Sequence, residues 1–180
     1  MSISLRADRT RRVALCAMLI AFAVMLSYLE VILPLGAVIP LPGFRLGLAN
    51  VVVLLTFCLL SPIDAAIVSS IRILLMGLLF GSATSLYFSA MGGLFSFLML
   101  LLLRGVGRQN SFLGVSVLCA AAHNTGQIVA ATTLFGMSLV TSYLPLLLVA
   151  SVVYGGIVGI LLNLFIPRLQ VRMGSGEGRE

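Results

Sequence analysis

The run Val13–Leu33, VALCAMLIAFAVMLSYLEVIL, decides the fold class of this chain. It is almost entirely apolar over about 20 residues, which is enough for an α-helix to cross the roughly 30 Å hydrocarbon core of a bilayer. Four arginines precede it: Arg6, Arg9, Arg11 and Arg12. A signal peptide would also begin with basic residues, but no clear small-residue cleavage site follows the run. We therefore interpret it as a retained transmembrane helix.

The composition of the whole chain supports a membrane protein. Of its 180 residues 61% are hydrophobic and 9% are charged, and the mean hydropathy is +1.21. A soluble domain is about 45–50% apolar and about 25% charged. A water-soluble globular protein is thus excluded, and so is a disordered chain, which needs low hydrophobicity. One membrane domain would use nearly all of the chain, so any ATPase or large catalytic domain must belong to another protein.

Five more apolar runs follow the first, and they predict an all-α integral membrane protein with six transmembrane helices. The runs are too long and continuous for the strands of a membrane barrel. We expect the helices in a domain at 13–166, between a basic arm at 1–12 and a polar tail at 167–180 that is disordered from Arg168 onward. The runs are Leu46–Leu60, Ile63–Phe80, Leu86–Leu103, Phe112–Phe135 and Tyr143–Ile166. They are separated by a proline-rich loop at 34–43 (PLGAVIPLPG) and by breaks at 61–62, 81–82, 104–111 and 136–142.

The arginines predict the orientation of these helices. The chain has 11 basic residues, all of them arginine, and a net charge of +6. With six spans both termini lie on one side, which collects nine arginines, whereas the other side has only Arg45 and a further one, Arg72, lies within a span. Cytoplasmic loops are enriched in basic residues. We therefore expect cytoplasmic termini and a multi-pass protein of the bacterial cytoplasmic (inner) membrane, whose arginines contact lipid headgroups rather than nucleic acid.

Several kinds of chemistry are missing from the sequence. Cys16, Cys58 and Cys119 lie singly inside apolar runs, without the spacing of a disulfide framework or a metal site. Prenyl diphosphate synthases hold Mg²⁺ with aspartate-rich motifs, whereas this chain has only Asp8 and Asp64. We predict no catalytic residue, no metal, no cofactor and no enzymatic activity.

Arg72 is the most unusual residue within a span. It lies ten residues into the third run, about 15 Å from the inner end and thus near the midplane. An arginine there costs roughly 2.5–3.5 kcal/mol on insertion scales, so it must face protein or a water-filled cavity. It could bind an anionic ligand or form a structural ion pair. Asp64 is two turns earlier and out of its reach, and we expect Asp64 to cap the third helix or compensate its dipole.

A second polar group lies in the fifth run, at His123, Asn124 and Gln127. Their spacing of three and four residues predicts that they point into one sector of the helix, in the outer half of the bilayer. Such side chains suit hydrogen bonding to the ring or carbonyl groups of a small ligand. They could also bond neighbouring helices together.

Three further polar residues flank the outer end of the first two runs. Glu30 ends the first, and Arg45 and Asn50 begin the second. We expect them to ring an outward-facing cavity with Arg72 and the His123 sector at its floor. A pairing of Glu30 with Arg45 or Arg72 is an equally good structural explanation.

Small residues form stripes on two helices. Ala14, Ala17 and Ala21 share a face of the first, which predicts either internal packing or docking onto another membrane protein. Ser151, Gly155, Gly159 and Asn163 form a series in the sixth, for which we expect close packing within the chain.

Three of these stretches together resemble a known family. Pro42–Asn50, the helix of Arg72, and the sequence AAHNTGQ at 121–127 resemble the membrane family known as heptaprenyl diphosphate synthase component I, or the Gx transporter family. More remotely, the chain is similar to the substrate-binding S components of energy-coupling factor (ECF) transporters. The latter resemblance implies six helices, a 34–45 loop that caps an outward pocket, and an Ala17-xxx-Ala21 face that docks a coupling subunit.

These expectations combine into a functional hypothesis. The chain is expected to be a substrate-binding subunit of an ECF-type uptake transporter, with ATP hydrolysed by partner proteins. Its substrate would be a small, partly apolar, anionic metabolite, such as a flavin-like vitamin, a quinone precursor or an isoprenoid phosphate. The alternatives are a non-catalytic accessory subunit of prenyl diphosphate or menaquinone synthesis and a purely structural membrane partner.

Overall fold

The computed structural model of the chain describes residues 2–32, 47–104 and 112–174. These residues form α-helices and no β-strand. The helices are α1 (Ser2–Ile32), α2 (Asn50–Leu59), α3 (Pro62–Phe80), α4 (Ala83–Leu103), α5 (Phe112–Phe135) and α6 (Met137–Gly174). The proline-rich loop at 34–43 and the candidate residue Arg45 lie outside the described residues.

Five of the helices are long and apolar enough to cross a membrane, which confirms a multi-pass, all-α membrane protein. The qualifying segments are Arg9–Ile32, Pro62–Phe80, Ala83–Leu103, Phe112–Phe135 and Leu147–Leu164. The predicted second span, Leu46–Leu60, is helical only in α2, whose 10 residues cover about 15 Å. Gly47, with φ +85°, begins the turn that precedes it, which shortens the helix at its start.

The segment around α2 nevertheless extends along α1 from Glu30 to Arg12. At its start the Leu48 N–H donates to the Glu30 carboxylate, and beyond its end Ser61 and Asp64 contact Arg12. Arg12 and Glu30 are separated by about 27 Å of helix at 1.5 Å per residue. The segment therefore runs antiparallel to α1 over most of the thickness of a bilayer core.

Asp64 has the helix-start role that its position predicted, together with an ion pair. Ser61 caps α3, because its hydroxyl accepts the Asp64 N–H at 3.2 Å and donates to the Asp64 carboxylate at 2.7 Å. Arg12 donates to the same carboxylate at 2.7 and 2.9 Å. The first predicted span and the basic arm form one helix, since α1 begins at Ser2. The ion pair joins that helix to α3.

The connection between α5 and α6 is tighter than the predicted break at 136–142. Gly136 alone separates the two helices, and its φ of +87° is in the left-handed region that only glycine adopts easily. The sixth helix therefore begins at Met137 rather than Tyr143. It also continues to Gly174, so the predicted disorder of the tail from Arg168 is wrong up to that residue, and 175–180 lie outside the described residues.

Glycines hold α4, α5 and α6 close together. A Cβ on Gly126 would lie 2.4 Å from the Met91 carbonyl oxygen, and one on Gly155 would lie 2.6 Å from the Cα of Val117. A Cβ on Gly159 would lie 2.4 Å from the Cα of Leu113. The predicted internal packing of the α6 stripe is thus confirmed at its two glycines, whereas Asn163 is exposed.

Candidate substrate-binding site

Charged and polar side chains are buried where α1, α3 and α5 meet the residues that precede α2. Glu30 is 6% exposed, Arg72 3%, His123 2% and Gln127 1%. Burying such groups costs free energy unless they are hydrogen-bonded or paired. They are linked through Ser27 of α1 and through Gly47 and Leu48, which makes this region the candidate site. We call Glu30, Arg72, His123 and Gln127 the polar cluster.

Arg72 is anchored to α1. Its Nη1 donates to the Ser27 hydroxyl at 3.2 Å, and both side chains are buried. Ser27 and Glu30 are three residues apart and so lie on one face of α1. The Glu30 carboxylate is therefore about one helical turn from the residue that holds Arg72. Ser27 was not among the predicted site residues, although its position one turn before Glu30 in an apolar run was a usable signal.

The residues before α2 join Glu30 to α5. The Leu48 N–H donates to the Glu30 carboxylate. At the adjacent Gly47, a Cβ would lie 2.8 Å from Asn50 Nδ2 and 3.0 Å from His123 Nε2. Asn50 and His123 both come so close to residue 47 that only glycine fits there. The φ of +85° also favours glycine at this position. Asn50 itself is half-buried beside the cluster.

His123 is held between two glycines and one amide. Its ring lies so close to α4 that a Cβ on Gly92 would be 2.5 Å from His123 Cε1. Its Nε2 is 2.6 Å from the side-chain nitrogen of Gln127, one turn along α5. The predicted proximity of His123 and Gln127 is therefore present.

Asn124 does not share that sector. It donates to the Leu147 carbonyl at 2.9 Å and to the Ser151 hydroxyl at 2.7 Å, and both partners are on α6. Successive residues of an α-helix point about 100° apart, so Asn124 faces a different neighbour from His123. The expectation of a single sector is corrected here, because Asn124 bonds two helices together.

The alanine stripe of α1 lies on the surface. Ala14, Ala17 and Ala21 are all exposed, whereas Ala23 of the same helix is fully buried. The two explanations of the stripe were internal packing and docking to a partner. The exposure of all three side chains removes internal packing as the reason for their small size.

The chemistry available to the cluster is recognition by charge and hydrogen bonds. A guanidinium, a carboxylate, an imidazole and an amide can bind a polar ligand group of either donor or acceptor character. Within the described residues no group of three His, Cys, Asp or Glu side chains could ligate a metal.

Taken together, the fold and the buried cluster define a multi-pass α-helical membrane protein with buried polar side chains among its helices. The chain belongs to the heptaprenyl diphosphate synthase component I family, whose model matches residues 19–165. This match confirms the family that the sequence resembles. No curated protein and no solved structure has significant similarity to the chain.

Proposed function

We propose that this protein is the substrate-binding membrane subunit of an ECF-type uptake transporter. The observation that carries the proposal is the polar cluster, in which α1, α3 and α5 bring charged and amide groups together beneath residues 47–50. If Arg72 were the only buried polar residue, helix packing would be enough to explain it. A set of hydrogen-bonding groups from three helices is what a binding pocket for a small polar ligand requires.

The proposed substrate is a small, partly apolar, anionic metabolite. Arg72 would bind its anionic group, and His123 and Gln127 would bind its neutral polar groups. Glu30 would orient residues 47–50 through its bond to Leu48. Asn50 would take part from the start of α2, and Arg45 remains a predicted ligand-binding residue in the preceding loop. A flavin-like vitamin, a quinone precursor and an isoprenoid phosphate all fit this description.

The transport direction that we propose is uptake across a bacterial cytoplasmic membrane. The stretch around α2 supports six crossings, since it reaches from Glu30 to Arg12. Six crossings together with the arginine bias would put both termini in the cytoplasm. The cluster is then closer to the outer ends of α1 and α3, because Glu30 is two residues from the end of α1 and Arg72 eight from the end of α3.

The exposed alanine stripe supports a protein partner. Small residues on a surface let a second helix approach closely. Ala14, Ala17 and Ala21 would dock a coupling membrane subunit, which would connect the protein to ATPases. In this proposal the energy for transport comes from ATP hydrolysis by those partners.

The second candidate is a non-catalytic accessory subunit of prenyl diphosphate or menaquinone synthesis. The name of the family favours it, because a component I implies association with another synthase component. In that role the cluster would hold a lipid substrate for a soluble enzyme. The scarcity of aspartate in the chain argues that this protein would not itself catalyse the condensation.

Native mass spectrometry of the purified full chain tests the first proposal, with co-purification of partners as a second measurement. We expect a retained small molecule whose occupancy falls in Arg72→Gln and is unchanged in Arg104→Gln, since Arg104 is exposed. We also expect an ATPase-containing membrane module to co-purify. Recovery of a soluble prenyl synthase instead would support the accessory role, and an empty protein without partners would overturn both.

A further inference from the structure

A groove of about 430 Å³ lies between α3 and α4. It extends along α3 from Ala66 to Leu74, which is about 12 Å of helix, and along α4 from Ala90 to Phe97. Its volume is within the roughly 300–1,000 Å³ range of small-molecule sites. The described residues that line it are uncharged, and none belongs to the polar cluster. We call it the α3–α4 groove.

Ser69 lies in this groove at a depth that water does not reach. It is about 11 Å from the start of α3 at Pro62 and about 17 Å from the end at Phe80. Its hydroxyl is at the contact between the two helices, because a Cβ on Gly93 of α4 would lie 3.7 Å from Ser69 Oγ. In the hydrocarbon core a polar group must find its partner in the protein or in a ligand.

The hydroxyl of Ser69 has no such partner within the described part of the chain. The residue is 7% exposed and lines the groove, and no hydrogen bond joins its side chain to another described residue. The same is true of the adjacent Ser70, which is exposed in the groove. By contrast, the Thr56 hydroxyl donates to the Val52 carbonyl one turn earlier. Two hydroxyls without partners cost free energy, which a ligand that bonds to them recovers.

The groove opens sideways, toward the lipid. Leu74 and Leu94 both line it, and they are 55% and 50% exposed. A ligand that arrives through hydrocarbon must be neutral and largely apolar, since a charge there is costly. A carbonyl is the polar group that fits best, because it accepts from serine hydroxyls and has no donor that would be unpaired in lipid. Phe97 offers an aromatic surface to a ring.

Other occupants fit the groove less well. The headgroup of a phospholipid lies at the membrane surface, and its hydrocarbon chains have no group that could bond to Ser69 at this depth. A partner helix needs small residues at its line of contact, whereas Leu74 and Leu94 project beside the groove.

We propose that the α3–α4 groove binds a neutral, largely apolar ring compound through a carbonyl group. Ser69 and Ser70 donate hydrogen bonds to the carbonyl, and Phe97 packs against the ring. This inference goes beyond the proposed function and does not depend on it, because the groove and the polar cluster share no residue.

Tritiated benzophenone, a neutral diaryl ketone, tests the site on the full-length protein in phosphatidylcholine nanodiscs, with empty nanodiscs as the background. We expect saturable binding that weakens about tenfold in Ser69→Ala/Ser70→Ala, since two hydrogen bonds are lost. The melting temperature should not fall, because neither hydroxyl bonds to another described residue. Thr125→Ala is the control, at an exposed hydroxyl on α5 outside the groove. Unchanged affinity in the double variant would overturn the inference.

Competition by a matched pair of compounds tests the carbonyl itself. Fluorenone and fluorene share one ring system, but only fluorenone has a carbonyl. Fluorenone should displace benzophenone at about tenfold lower concentration, and equal displacement would show a groove that selects shape alone. Ultraviolet light then attaches bound benzophenone to nearby residues. We expect labelled peptides from α3 and α4 that fluorenone protects, whereas unprotected labelling on all helices would show an adventitious additive only and overturn the inference.

A cysteine in the groove tests for a protein occupant. In a variant lacking Cys16, Cys58 and Cys119, Ser70→Cys should stay monomeric under oxidation. A disulfide to a second protein or a second copy, together with absent benzophenone binding, would overturn the inference. Ser69→Ala/Ser70→Ala should also retain any small molecule whose occupancy depends on Arg72 in native mass spectrometry. Failure of the groove site is thereby distinguished from failure of the proposed function.

Discussion

The Arg72 guanidinium on α3 donates to the Ser27 hydroxyl on α1 at 3.2 Å, and both side chains are buried. This bond connects the arginine nearest the middle of the membrane to the helix that carries Glu30. Because Ser27 and Glu30 share a face, the positive and negative members of the polar cluster are arranged along one side of α1. The arrangement leaves two roles for Arg72, as a ligand contact or as part of a structural network, and they differ in what its removal does.

Replacement of Arg72 by Gln distinguishes these roles. If Arg72 binds an anionic ligand, the variant should lose about 1.5–3 kcal/mol of binding free energy, the usual value for a hydrogen bond to a charged group. The melting temperature of the empty protein should change little. Both quantities are measured in detergent, with Arg104→Gln as the control at an exposed arginine. Lost stability with unchanged affinity would identify Arg72 as the cation of a structural ion pair, because its removal strands a buried carboxylate.

The orientation predicts which positions react with a membrane-impermeant thiol reagent. In a variant lacking Cys16, Cys58 and Cys119, a cysteine at Gly36 should be labelled on intact cells. A cysteine at Arg104 should be labelled only after permeabilisation, and a reporter fused after Glu180 should be cytoplasmic. These results follow from the bias of arginines to the cytoplasmic side. Labelling of position 36 only from the cytoplasm would refute both the orientation and uptake.

Enlargement of the alanine stripe should disrupt partner docking without affecting the ligand. Ala17 and Ala21 are exposed, so leucine at both positions would hold a partner helix away while leaving the internal packing unchanged. We expect loss of co-purification with a coupling subunit and unchanged ligand occupancy. Ala90→Leu, at an exposed alanine of α4, is the control. Normal assembly and transport in the double variant would show that docking occurs elsewhere.

Close helix packing makes the effect of alanine depend on which glycine it replaces. Gly126→Ala should destabilise the protein by about 1–3 kcal/mol, since its Cβ would meet the backbone of Met91 and force α4 and α5 apart. Gly156→Ala has open space around its Cβ and should stabilise α6 by up to about 1 kcal/mol. Thermal unfolding in detergent measures both. Equal melting temperatures would mean that the α4–α5 contact is looser than described.

The sequence predicted the helices well but the contacts between them only in part. Apolar length alone located the third, fourth and fifth helices, because the bilayer requires about 20 apolar residues for each crossing. Spacing along one helix placed His123 beside Gln127. The same spacing gave the wrong sector for Asn124, because the side chain of Asn124 bonds to α6. The spacing also did not indicate that Gly47 and Gly92 lie against the ring of His123. Those contacts join residues far apart in the chain, so local periodicity does not encode them.

A comparison of Gln127 with Asn124 tests whether the cluster binds a ligand or only joins helices. Gln127→Leu removes the partner of His123 inside the cluster, so ligand binding should weaken by about 1–3 kcal/mol through unpaired polar groups. Asn124→Leu removes two bonds to α6, so the free energy of unfolding should fall by about 1–3 kcal/mol while affinity is retained. Ligand affinity and melting temperature of both variants are measured in the same detergent. Loss of stability without loss of affinity in Gln127→Leu would make that residue a second helix-joining amide and remove it from the proposed site.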